Sequence, residues 1–278
     1  VNYRHSFHAG NIADVFKHIV LARVLRALRQ KETPFCVVDT HAGAGVYVLK
    51  APGEFGQGIG VVWPEREAWP ALADYFALVG KFNKQAPGRV RGDGPKYYPG
   101  SPFFIARMLR EQDRAVLIER RDEEYQYLKY NLADVKNAAV HHADAWRALQ
   151  GLIPPREKRG LLFIDPPYES ADEFDHVVAA LAYAAKHWRN GVVLAWYPVK
   201  SRVAVRRFHA GVRELRVKAQ ALEFLTLPDD VDNRLNGSGM LIVNPPWKLM
   251  EELKEVLPPL ASRLTGEGGR PQVRVQVL

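Results

Sequence analysis

The apolar run Leu161-Leu162-Phe163-Ile164, halted by Asp165-Pro166-Pro167-Tyr168, constrains the fold of this chain more than any other segment. Consecutive apolar residues without alternation read as a strand covered on both faces, and such strands belong to parallel sheets sandwiched between helices. The prolines end the ladder, because each fixes φ and lacks an N–H. The tetrapeptide therefore follows a strand's C-terminal end, the edge at which open α/β sheets bind their ligands.

The remaining elements fit that frame. Residues near 11–30 carry Ile12, Val15, Phe16, Ile19, Val20, Val24 and Leu25 at helical spacing. Strands are expected at Phe35–Asp39, Ala115–Glu119, around Val140 to His142, at Leu161–Asp165, Gly191–Trp196, Leu222–Leu227 and Gly239–Asn244, the last two joined by a polar loop. Amphipathic stretches between them predict crossover helices, giving an α/β, doubly wound, mostly parallel seven-stranded sheet. The first strand runs into Asp39-Thr40-His41-Ala42-Gly43-Ala44-Gly45, where small residues allow close backbone approach to a ligand and a sharp turn into a helix. In a nucleotide fold an acid that binds ribose hydroxyls follows the glycine turn by about 20 residues. Here the candidate, Glu119, comes 80 residues after Asp39. An inserted helical subdomain at residues 51–110 is the expected cause, dividing the main domain into 1–50 and 111–278.

Net charge is +8 among 278 residues, which favours a polyanionic partner without proving one. The single cysteine, Cys36, rules out an internal disulfide framework, and no cysteine and carboxylate cluster completes a zinc site around His5, His8 and His18. No metal is expected. Val1-Asn2-Tyr3-Arg4-His5 has no apolar signal core, so a cytoplasmic setting is expected, with no membrane segment.

A carboxylate, two prolines and an aromatic ring at a strand end suit the gripping of an exocyclic amino group. The amino nitrogen of adenine is a poor nucleophile because its lone pair is delocalised into the ring. Asp165 and the main-chain carbonyl of Pro166 can accept its two hydrogens and hold it towards a methyl donor, while Tyr168 stacks on the base. The competing reading of the four residues alone is a Pro-Pro turn closing an ordinary strand. The Gly-Ala-Gly turn is poorer in glycine than a pyrophosphate loop, which favours S-adenosylmethionine over NAD. Asp144, after the third strand, can accept from the donor's adenine amino group. A second tetrapeptide, Asn244-Pro245-Pro246-Trp247, competes with the first. It follows the last strands, where the fold has no switch point, so Asp165 is preferred and Asn244 is expected in a structural turn or at the rim.

With these residues in view, the chain resembles the bacterial ribosomal RNA large subunit methyltransferase J family. The resemblance spans nearly the whole chain. It includes Tyr3-Arg4-His5-Ser6-Phe7-His8-Ala9-Gly10-Asn11, Asp14, Lys17-His18, the glycine turn, Tyr97-Tyr98-Pro99-Gly100-Ser101-Pro102, Asp165 to Tyr168, Trp196-Tyr197-Pro198 and Asn244 to Lys248. It implies a Rossmann-like class I fold and N6-methylation of adenine 2030 in 23S ribosomal RNA. It also implies donor contacts at His18, His41, Gly43, Ser101, Glu119, Asp144, Ala145 and Asp165, with Asp165, Pro166 and Tyr168 at the reacting amino group. Tyr3, Arg4 and Lys17 are the implied contacts to substrate RNA, and a monomer is expected. Ala145 stands where the family has glycine, a minor departure for a main-chain contact.

Three basic groups are candidates for phosphate contact: Arg202, Arg206, Arg207, Arg213 and Arg216; Arg89, Arg91 and Lys96; and Arg156, Lys158 and Arg159. The polar loop Pro228 to Gly239 is expected to order only on binding RNA. A DNA adenine-N6 methyltransferase and a non-catalytic nucleic-acid-binding protein are the alternatives.

Overall fold

In a computed structural model of the chain, residues 5–85, 94–170, 172–229, 231 and 234–278 are described. Helices α1 (His5–His8) and α2 (Ile12–Arg29) precede strand β1 (Cys36–Asp39). Strand β2 (Val46–Val48), short helical turns with α3 (Ile59–Val62), helix α4 (Ala73–Gln85), strand β3 (Tyr97–Pro99) and helix α5 (Ser101–Met108) follow. Next come β4 (Arg114–Glu119), α6 (Asp122–Asn131), β5 (Ala138–His142), α7 (Ala145–Leu152), β6 (Gly160–Ile164) and α8 (Glu173–His187). The chain closes with β7 (Val192–Val199), α9 (Arg202–Glu214), β8 (Ala219–Leu225), β9 (Gly237–Val243), α10 (Leu249–Leu264) and β10 (Gln272–Val277).

The main sheet runs β10-β8-β9-β7-β6-β1-β4-β5. β1 pairs in parallel with both β4 and β6, so the switch point falls between β1 and β6. The expected strands are all present, and β10 adds an eighth, antiparallel to β8. It is an edge strand, Gln-Val-Arg-Val-Gln-Val, half solvated and short of the apolar density that marks the others.

Alternation across the pleat divides the interior into two layers. Leu161 and Phe163 join α2, α5 and α10 on one face, while Leu162 and Ile164 meet α7, α8 and α9 on the other. Ile59, Val62, Trp63, Leu72, Tyr75, Phe76 and Val79, from the inserted stretch, lie within the first of these cores. The insert therefore adds to the main core.

The stretch expected as the insert, 51–110, is preceded by β2 and contains β3 and α5. β2 and β3 form a separate antiparallel pair, Val46 opposite Pro99 and Val48 opposite Tyr97, so the chain departs and returns through one short ladder. Helix α5 belongs to the main layer as the crossover between β1 and β4. The glycine turn thus leads into a strand, and the helix expected directly after it is displaced to the far side of the insert. The two are still joined, since the Gly100 N–H donates to the Gly45 carbonyl at 2.8 Å.

Candidate active site

A cavity of about 970 Å³ opens at the C-terminal ends of the parallel strands. That lies at the upper end of the range for small-molecule sites, about 300–1,000 Å³. Its walls include His18, His41, Gly43, Ser101, Glu119, Asp144, Ala145, Asp165, Pro166 and Tyr168. The residues expected from sequence to hold donor and amino group are thereby brought to one space. Tyr3 and Arg4 lie outside the described residues.

The turn after β1 is rigid. Gly43 has φ +62°, and a Cβ there would meet the Tyr47 hydroxyl at 2.1 Å. That hydroxyl accepts from the Ala44 N–H at 3.1 Å. Glu119, at the end of β4, accepts from the Gly43 N–H at 2.8 Å and the Arg121 N–H at 2.6 Å. Both carboxylate oxygens are thus fixed by main chain, with lone pairs left for hydroxyl donors. Asp144 caps α7, accepting from the Arg147 N–H at 3.2 Å, and stands 3.5 Å from Arg120. His18 is buried, its Nδ1 3.0 Å from the Tyr98 hydroxyl and its ring stacked on Phe104.

Asp39 and Lys17 form the least expected part. Ser101 Oγ donates to Asp39 Oδ2 at 2.7 Å, tying α5 to the end of β1. Asp39 is fully buried, and burial lifts its carboxyl to about 7 despite the Ser101 hydrogen bond. Lys17, an expected contact to RNA, lies in the cavity wall, 6% exposed, its ammonium 2.8 Å from Asp14 Oδ1 and 2.7 Å from Asp165 Oδ2. Sequence spacing brings Asp14 and Lys17 onto one helical face. The tertiary approach of β6 to α2 that completes the triad has no local signal.

His41 is half-buried, and its desolvation lowers the imidazole to about 4, which leaves it neutral at physiological pH. Its ring lies 5.1 Å from Trp146. Tyr168 occupies the left-handed region at φ 52°, with its hydroxyl donating to the Trp196 carbonyl at 2.8 Å and its ring against Phe174 and Trp196. Trp196 Nε1 is buried without a hydrogen-bond partner, although Trp196 lines the cavity.

The raised carboxyl of Asp39 makes stability depend on pH in a defined direction. A carboxyl whose folded pKa exceeds its unfolded value binds more protons when folded, so its contribution is present at low pH and falls between about 4 and 7. Relative to wild type, Asp39→Asn should gain a few kcal/mol over that window and nothing further above it. Urea denaturation of both proteins at pH 4.5, 6 and 8 checks this; a constant difference would rule it out.

The basic groups are not equivalent. Arg202 donates to Glu223 at 2.7 Å and also binds Asp229, which Arg274 holds as well. It is a structural anchor. Asn236, fully buried, donates to the Val231 carbonyl at 2.7 Å. The described residues of the Pro228 to Gly239 loop are therefore tied by internal hydrogen bonds; Asp230, Asp232 and Asn233 lie outside the described residues. Arg159 donates to Thr33 and Leu28 carbonyls, and its own carbonyl accepts from the Cys36 N–H, which fixes Arg156, Lys158 and Arg159 at the N-terminal end of β6, away from the cavity. Arg89 and Arg91 lie outside the described residues.

β9 runs antiparallel to β7, with Val243 opposite Val193. Asn244 therefore emerges at the opposite end of the sheet from Asp165. Its amide donates to the Arg189 and Gly191 carbonyls, at 2.8 and 2.9 Å, in a structural turn.

Residues 32–277 match the family model described as "Ribosomal RNA large subunit methyltransferase D, RlmJ". The chain belongs to this family. A "Ribosomal RNA large subunit methyltransferase J" of Haemophilus influenzae is 39% identical over 96% of this chain and 95% of its own length. The protein of the same description from Escherichia coli is 38% identical over the same shares. A crystal structure of a Legionella pneumophila protein aligns with a TM-score of 0.89 at 34% identity, covering 97% of this chain and 98% of that one. The fold is therefore common to chains of nearly equal length, inserted segment included.

Proposed function

We propose that this chain transfers the methyl group of S-adenosylmethionine to the N6 amino group of an adenine in 23S ribosomal RNA, adenine 2030 by family resemblance. The observation that carries the reading is the Asp165 carboxylate, held by Lys17 at the switch point and sharing one cavity with Glu119 and the Gly43 turn. When bound, the donor supplies an electrophilic methyl carbon on a cationic sulfonium. The residues present fit such a group. Asp14, Glu119, Asp144, Asp165, Glu169 and Glu173 line the cavity, and His41 stays neutral within it.

Glu119 is preset for ribose hydroxyls, and Asp144 with the main chain of Ala145 for a purine edge. Asp165 takes one hydrogen of the target amino group and the Pro166 carbonyl the other, which turns the nitrogen lone pair towards the methyl. Tyr168 provides an aromatic wall for the base, and a purine ring nitrogen would give the buried Trp196 Nε1 its missing acceptor. The nitrogen gains the methyl and sheds one proton, for which Asp165 is the acceptor in reach. Positioning of this kind supplies several kcal/mol of rate enhancement. The target base must first leave its stack, at a cost of a few kcal/mol that is least for an unpaired nucleotide.

Mass spectrometry of 23S ribosomal RNA from a strain lacking this protein tests the reading. One N6-methyladenosine should disappear and return with the restored chain. An unchanged set of marks would refute it, and tritiated methyl incorporation into duplex DNA but not ribosomal RNA would establish the DNA alternative.

A further inference from the structure

The second Pro-Pro tetrapeptide has no part in the cavity, yet it is built with unusual care. Trp247 is 88% exposed, the highest value for any large hydrophobic side chain among the described residues. Its support is rigid. Pro245 and Pro246 have fixed φ, and both flanking residues, Asn244 at 52° and Lys248 at 62°, occupy the left-handed region that non-glycine residues seldom adopt. The Asn244 amide clamps the turn to the Arg189 and Gly191 carbonyls, and its N–H donates to the Lys218 carbonyl at 2.9 Å. Backbone of this type persists only where its surroundings enforce it, and it concentrates at functional positions.

The segments joined by these bonds are basic. Lys158, Arg189, Arg216, Lys218 and Lys248 are all exposed on them, against the exposed carboxylates Glu214 and Glu251. Lys158 is linked to the group because its carbonyl accepts from Trp188 Nε1 at 3.0 Å. Glu252 is already bound by Arg23 and Arg26. A solvent-facing indole carried on a clamped turn, with exposed cations on the segments bonded to that turn, matches the chemistry of an unpaired nucleotide, whose base stacks while its phosphates meet the charges.

We propose that Trp247 and its surrounding cations form a second RNA contact, on which an unpaired base of the ribosomal RNA substrate stacks. The proposal rests on the reading of the chain as a ribosomal RNA methyltransferase. The contact lies at the opposite end of the sheet from Asp165, displaced from it along the strands by about 16 Å, the length of β6 at 3.3 Å per residue, and two strands to the side. A substrate engaging both must span that separation.

Filter binding and methyl transfer, measured with 23S ribosomal RNA and with a hairpin that contains the target adenine and is cut too short to reach Trp247, test this. Trp247→Ala should weaken binding of 23S ribosomal RNA about tenfold, within the range for loss of one base–aromatic stack. It should raise KM by a similar factor at unchanged kcat, Trp247→Phe should restore most of the loss, and the hairpin should show no difference. Replacing Arg189 and Lys218 by glutamine should reduce the log–log salt slope for 23S ribosomal RNA by about 1.4 to 1.8. Unchanged affinity of Trp247→Ala for 23S ribosomal RNA overturns the proposal, as does an equal loss on the hairpin. If wild type binds the RNA and never methylates it, the methyltransferase reading falls, while the binding comparison still decides the stacking surface.

Discussion

Asp165→Ala is expected to lower kcat by about a thousandfold with the fold intact. The removal of a single preorganised hydrogen-bonding group from a transition state costs about 10²–10³ in rate. This substitution also removes the group that fixes Lys17 at 2.7 Å. Asp165→Asn keeps one acceptor oxygen and loses the charge, so it should retain more activity than the alanine variant. Single-turnover methylation of 23S ribosomal RNA, with donor affinity measured by calorimetry, separates chemistry from binding. Wild-type rates in the alanine variant would remove Asp165 from the reaction altogether.

Lys17→Met should cost both stability and activity. Its ammonium joins Asp14, 1% exposed, to the nearly buried Asp165. Removing one partner from a buried ion pair typically costs about 3–5 kcal/mol, because the remaining charge is stranded. Asp14 keeps its bond from the Gly10 N–H at 2.9 Å, which moderates the loss. The informative comparison is the double variant Lys17→Met with Asp165→Asn. Its stability should partly recover, because one stranded carboxylate is gone, while its activity should remain low. Urea denaturation of the single and double variants decides this; additive losses would mean that the two side chains do not act as a pair.

The parts of this molecule that could be read in advance are those with local causes. Asp165 was legible because an unbroken apolar run must end somewhere and prolines mark the place. Glu119 was legible because a nucleotide fold places an acid at the end of the strand after its glycine turn. The long gap between them was legible, but the ladder within it was not, because its partners, Val46–Val48 and Tyr97–Pro99, lie far apart in the chain. The inward position of Lys17 was hidden for the same reason, since only the packing of α2 beside β6 distinguishes it from a surface lysine. Basic residues proved the least legible: Arg202 and Arg159 are bound to carboxylates or carbonyls that no periodicity identifies. The order of strands already favoured Asp165 over Asn244, but did not reveal the distance between them. Strand direction separates them, and direction is a property of the assembled sheet.

The placement of the β2–β3 hairpin bears on how the protein matures. One wall of the cavity ends at Tyr47 and the next begins at Gly100, and the ladder between β2 and β3 draws the two together. The cavity is therefore complete only once the chain has passed Asp165, Trp196 and Leu235, the last of its lining residues.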